Sequence, residues 1–164
     1  MKADSSGTEK AMISTPLGFI EMTAKNGELT GLYFRDHTGD ENIPESLAKA
    51  ATQLKQYFRG ELKTFALPLN PQGSEFQRSV WTLLVEIPYG STTTYGEIAA
   101  RLNIRNGARA VGLANGSNPV SIVIPCHRVI GQNGKLTGYA GGLWRKEWLL
   151  KMEVSNTMEG LFSI

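Results

Sequence analysis

The chain has 164 residues, enough for one domain or two small ones, and its 41% hydrophobic content is that of an ordinary globular core. One cysteine and two histidines exclude an intrachain disulfide framework and leave no Cys/His zinc cage, and no apolar run approaches the ~20 residues that span a bilayer. Net charge is only +2, but residues 1–73 carry 8 Lys and Arg against 9 Asp and Glu, while residues 74–164 carry 9 against 6. A basic excess on the second half suits a phosphate backbone, and it equally suits an ordinary solvated face. The polar start Met1-Lys2-Ala3-Asp4-Ser5-Ser6-Gly7 lacks a signal-peptide core, so a cytoplasmic protein is expected.

The first ten residues are expected to be disordered. Met12–Thr15, Pro16-Leu17-Gly18 and Phe19–Thr23 then read as strand, turn, strand. Asn26-Gly27 is the two-residue hairpin signal, and Leu29–Phe34 returns as a third strand of an antiparallel meander. After Pro44, the residues Leu47, Ala50, Ala51, Leu54, Tyr57 and Phe58 recur at helical spacing up to a stop at Gly60, which predicts a helix packed on the sheet. Leu62–Leu69 is a further strand candidate. His37 lies among loop residues, and nothing in residues 1–73 carries nameable chemistry.

Ser74 and Gln77 have capping-box spacing, and Phe76, Val80, Leu83, Leu84 and Ile87 mark one apolar helix face that ends at Pro88-Tyr89-Gly90. Thr94 and Glu97 repeat that spacing ahead of a short helix, Thr94 to Leu102. A turn over Asn103–Gly107 leads to a third helix, Ala108 to Asn115, with Ala110, Val111 and Ala114 inward. Two short helices joined by a polar turn suggest a helix-turn-helix. The outward residues of the third helix are Ala108, Arg109, Gly112, Asn115 and Gly116, mostly small with one cation. That face fits a close approach to DNA and fits tight packing inside the protein about equally well.

The apolar run Val120–Ile124 reads as a strand ended by Pro125, with Cys126 and His127 directly after it. A thiolate is the strongest side-chain nucleophile, and an imidazole can take its proton near neutral pH. A lone cysteine is also often a small buried hydrophobe. Adjacency does not establish contact either, because strand neighbours point to opposite faces, so a turn after Pro125 would be needed.

Pro125-Cys126-His127-Arg128-Val129 resembles the reactive motif of the O6-alkylguanine-DNA alkyltransferases. The resemblance extends from about Ser74 to Glu153 through Tyr95-Gly96-Glu97-Ile98-Ala99, Ala108-Arg109-Ala110-Val111-Gly112, Asn118-Pro119-Val120 and Lys146-Glu147-Trp148-Leu149-Leu150. Such ordered motifs over half the chain are highly specific. The resemblance implies a supporting α/β domain over residues 1–73, with a ribonuclease-H-like sheet and helix. A mostly α, winged-helix-like helix-turn-helix domain would follow over residues 74–164. It also implies single-turnover transfer of an alkyl group from O6-alkylguanine in double-stranded DNA to Cys126, without metal or cofactor, by a monomer.

The resemblance also implies roles for individual residues. Glu153 would orient His127, and His127 would activate Cys126. Arg109 would fill the space left by a nucleotide rotated out through the minor groove, and Tyr95 would crowd the neighbouring phosphate and bond guanine N3. Thr94, Ala108, Gly112 and Asn115 would belong to the DNA face. The carbonyls of Cys126 and Val129 would accept the exocyclic amine, the N–H of Ala140 would meet O6, Tyr139 would pack beside the base, and Asn118 would tie the third helix to the reactive loop. Animal members often have proline at the position of Ser121 and serine at that of Ala140. Two other classes remain open at this stage. A lesion sensor would use the helix pair without Cys126, and a cysteine hydrolase would turn over repeatedly without DNA. Alkyl range, activity on O4-alkylthymine and cooperation along DNA are not legible.

Overall fold

A computed structural model describes residues 7–39 and 41–162, and the chain divides into two compact units, residues 1–72 and 73–164. In the first unit, strands β1 (Thr8–Thr15), β2 (Gly18–Lys25) and β3 (Glu28–Arg35) form an antiparallel sheet in that order. Asn26 and Gly27 take φ values of 52° and 77°, which a two-residue hairpin turn requires to follow the strand twist. Ile13 faces Ile20 and Met22 faces Leu32 across the ladder. The central strand β2 sends alternate residues, Ile20, Met22 and Ala24, into the core, while β1 buries Ala11, Met12 and Ile13 in succession. Helix α1 (Glu45–Phe58) lays Leu47, Ala50, Ala51, Leu54 and Tyr57 into that core. It ends where Gly60 at φ 76° lets Glu61 N–H reach Gln56 O and Gly60 N–H reach Tyr57 O.

Two expectations for this unit are corrected. Thr8–Lys10 belong to β1, so disorder does not extend over the first ten residues, of which residues 1–6 lie outside the described chain. Leu62–Leu69 is not a strand and pairs only at its end, where Leu29 N–H bonds Pro68 O and Asn70 N–H bonds Leu29 O. Pro68 has no N–H to give a ladder, and the backbone of Ala66 is taken by the Gln53 side chain at 2.9 and 3.2 Å.

The second unit opens with α2 (Glu75–Val85), whose Ser74 and Gln77 form both halves of the capping box. Val80, Trp81 and Leu84 are buried, and Trp81 Nε1 donates to Ala114 O at 2.8 Å, tying α2 to the helix that carries Ala114. Strand β4 (Thr93–Thr94) runs into α3 (Tyr95–Arg101), followed by α4 (Ala108–Gly116). Thr94 caps α3, but Glu97 turns to the Thr93 hydroxyl at 2.6 Å, so the second capping box is half formed. The inward face of α4 is Val111, Ala114 and Asn115, and Ala110 is exposed. Val111 and Ala114 are buried as expected, and Asn115 takes the place of Ala110 as the third residue of the face, since 111, 114 and 115 lie together at helical spacing.

Val120–Ile124 is buried, but it is a tight loop rather than a strand. Val123 N–H bonds Ser121 O at 2.9 Å around Ile122, whose φ is 74°, and Ile124 N–H bonds Val120 O at 3.0 Å. A positive φ is strained for a β-branched residue and persists only where surroundings over-determine it. Here Asn118 does so from both sides, donating to Ile124 O at 2.7 Å and accepting from Val120 N–H at 3.0 Å. The chain then makes a 3-10 turn over Cys126–Arg128 and a short strand β5 (Val129–Ile130) parallel to β4. Helix α5 (Leu143–Phe162) closes the unit and is longer than the expected segment around Lys146–Met152.

Candidate active site

The 3-10 turn places Cys126, His127 and Arg128 in the interior, on residues that a strand would have sent to opposite faces. Cys126 is 5% exposed and His127 is wholly buried. Glu153 comes from α5 and is also wholly buried. Its Oε2 lies 2.7 Å from His127 Nε2, and Arg128 clamps it with Nε to Oε1 at 2.8 Å and Nη2 to Oε2 at 3.0 Å. Arg128 Nη1 donates to Ile87 O at 2.7 Å, and Gly90 N–H donates to Glu153 Oε1 at 3.2 Å.

Electrostatics follow from that packing. Burial by itself would raise the Glu153 carboxyl, but the hydrogen bonds and charges of His127 and Arg128 outweigh it and hold Glu153 at about 2. An ionised carboxylate only accepts, so His127 carries its proton on Nε2 and donates it to Glu153. Burial pushes His127 below its ordinary value against the opposing pull of Glu153, which keeps the ring neutral near pH 7. Nδ1 is therefore the free acceptor, and it is buried without a hydrogen-bond partner among the described residues. Burial also pushes the Cys126 thiol up, against the side chain of Asn118 and the charge of Lys146.

Tyr95, at the start of α3, is brought beside the loop that follows β5. Its hydroxyl donates to Thr137 O at 3.3 Å and accepts from Thr137 Oγ1 at 3.0 Å. Lys146 is wholly buried, donates to Thr137 O at 2.7 Å and lies 5.9 Å from the Tyr95 ring. Burial lowers Lys146 to about 8, with the neighbouring Cys126 working against the fall. A Cβ on Gly112 would come 3.8 Å from the Tyr95 ring, so Gly112 faces Tyr95 across the pair of helices. Ala108 and Arg109 are exposed on the first turn of α4, and Thr94 is spent on capping α3. Val129 is wholly buried, while Tyr139 and Ala140 lie in a turn closed by Gly142 N–H to Tyr139 O at 2.8 Å.

Asn115 requires a correction. It does not face outward with Ala108 and Arg109: it is 3% exposed and its Nδ2 donates to Cys126 O at 3.3 Å. The cause is the same partial turn of the buried face that exposes Ala110. Three contributors, Arg128, Lys146 and Thr137, were not assigned roles from sequence. Arg128 and Lys146 lie inside the motifs of the family resemblance, but a buried cation is recognisable only once its partners are known.

Residues 9–71 match the family model described as "6-O-methylguanine DNA methyltransferase, ribonuclease-like domain", and residues 75–155 match its "DNA binding domain". The methylated-DNA–protein-cysteine methyltransferase of Mycolicibacterium paratuberculosis is 49% identical over 88% of this chain and 92% of its own. The protein of that name from Methanosarcina acetivorans is 49% identical over 88% and 97%. Among solved structures, the Mycobacterium tuberculosis protein OGT in complex with DNA is similar at a TM-score of 0.83 and 45% identity, over 90% of this chain and 93% of its own.

Proposed function

The chain belongs to the 6-O-methylguanine DNA methyltransferase family, and we propose that it repairs DNA by moving an alkyl group from guanine O6 to Cys126, once per chain. The observation that carries the chemistry is the buried line Arg128–Glu153–His127, which leaves Nδ1 as the one open position of the imidazole next to the cysteine. Glu153, at about 2, stays ionised through the reaction and opposes the charge that His127 gains. Sγ bonds the alkyl carbon as the carbon–O6 bond breaks, and the bonding pair leaves on guanine. The thiol proton goes to His127 Nδ1, directly or through one water, and an equivalent proton restores guanine N1. The nucleophile, the base and the orienting groups are all side chains of this protein, so the reaction calls for no cofactor.

In this reading α3 and α4 are the helix pair of a winged-helix-like DNA-binding domain over residues 74–164, and residues 1–73 are its support. The damaged nucleotide is everted through the minor groove, since O6 is unreachable inside the stack. Arg109, exposed on the first turn of α4, fills the gap, while the small Ala108 and Gly112 let the backbone approach. Tyr95 meets guanine N3, and Thr94 stands beside it at the helix start. The N–H of Ala140 meets O6, the carbonyls of Cys126 and Val129 meet the exocyclic amine, and Tyr139 packs beside the base. Asn118, which shapes the loop before Cys126, holds the nucleophile in place. No helix of the described residues is long and apolar enough to cross a membrane.

Intact-protein mass spectrometry after incubation with a duplex containing one O6-methylguanine tests the assignment, with Cys126→Ala as control. A gain of one methyl mass, saturating at one per chain and absent from the variant, is expected. Lesion binding without any mass gain would remove the transferase reading in favour of a sensor.

A further inference from the structure

Asn115 is the polar residue on the inward face of α4, and its side-chain amide is divided between two states of satisfaction. Nδ2 donates to the carbonyl of Cys126 at 3.3 Å, whereas Oδ1 is buried without a hydrogen-bond partner among the described residues. Turning the amide over would set its oxygen against the Cys126 oxygen, so the orientation is dictated by that carbonyl. An unpaired buried acceptor costs about as much as a lost hydrogen bond. Native structures keep such a group where something else brings the donor.

The chemistry of the lesion narrows what that donor is. Alkylation at O6 removes the proton from N1, so the two N–H groups of the exocyclic amine are the only N–H donors left on the damaged base. An O4-alkylated thymine has none. The amide that carries Oδ1 bonds the Cys126 oxygen through its Nδ2 at 3.3 Å, so the unpaired acceptor belongs to the group that neighbours the carbonyl on which the amine docks.

Resting on the alkyltransferase reading above, we propose that Asn115 is a specificity-determining residue whose Oδ1 accepts a hydrogen bond from the exocyclic amine of the everted O6-alkylguanine. One N–H of the amine lies between Asn115 Oδ1 and the Cys126 carbonyl, and the other is left for the Val129 carbonyl. A base without the amine closes the pocket over an unsatisfied oxygen and reacts more slowly, as in sites built to bond a particular N–H. Asn115 thereby favours alkylated guanine over alkylated thymine.

The test compares single-turnover rates of the full chain and Asn115→Leu on duplexes carrying O6-methylguanine, O6-methylhypoxanthine or O4-methylthymine. Leucine is similar in volume and neither donates nor accepts. The unsubstituted protein is expected to prefer O6-methylguanine over O6-methylhypoxanthine, and Asn115→Leu to shrink that preference about tenfold. O4-methylthymine should gain on O6-methylguanine in the same variant. Ratios are taken within each protein, so a loss common to all three substrates cancels. Asn115→Asp keeps an acceptor oxygen but as a carboxylate cannot donate to the Cys126 carbonyl. It is expected to keep more of the preference than Asn115→Leu, and an equal loss of preference in both variants would overturn the proposal. An equal fall on all three substrates would overturn the proposal, leaving Asn115 as a brace for that carbonyl or the holder of a water. Asn115→Ala supplies the same ratios if the leucine variant does not fold. No methyl transfer by the unsubstituted protein would overturn the alkyltransferase reading itself, and this assignment with it.

Discussion

Glu153 accepts from His127, from both sides of the Arg128 guanidinium and from Gly90 N–H, so its removal has two separable consequences. Glu153→Gln leaves Arg128 buried beside a neutral amide, which should cost on the order of 3–5 kcal/mol of stability in urea titrations. It also releases the His127 tautomer, and single-turnover methyl transfer should slow by roughly 10²–10⁴. The ionic contribution of Glu153 is present above its ordinary value of 4.5 and is lost as pH falls through about 2. His127, held below 6.5, gives a rate that is level through neutral pH and falls only in acid, where the ring charges. Lys146 has a pH signature of the same sign in an alkaline window. Its folded value of about 8 lies under the ordinary 10.5, so the unfolded chain binds more protons between those limits and stability rises with pH across them. Urea midpoints at pH 8 and pH 10 should show that rise, and Lys146→Met should abolish its own share of it.

At the scale of elements, the local signals that the sequence displays are those with a short-range cause. Asn26-Gly27, the Gly60 stop and the Ser74 capping box each work through residues within a few positions, and each appears where its chemistry places it. Ser74→Ala should cost about 1 kcal/mol, read as a lowered Tm. Failures came where a distant group intervened. Gln53 claimed the backbone that Leu62–Leu69 needed for pairing, and Asn118 folded Val120–Ile124 into a loop that its β-branched composition disfavours. Helix α4 carries the test of base eversion. Arg109→Ala should reduce repair in duplex DNA far more than reaction with a free alkylated base, and an equal loss on both would make Arg109 structural.

For the whole molecule, the basic excess lies on residues 74–164, so affinity for DNA should fall steeply with salt and depend little on surrounding sequence. Binding isotherms at two salt concentrations check this, and a salt-independent affinity would shift the weight from phosphates to the pocket. The meander and its helix, the order of the second-unit helices and the motifs of the family resemblance are legible in the chain without its fold. Those features depend on periodicity and on residues close together in the chain. Tertiary structure alone decided that Arg128 and Lys146 are buried cations and that Asn115 turns inward. The physical reason is common to all of these. Burial of a polar side chain is allowed only by partners brought from other elements, and no local pattern records which partners will arrive.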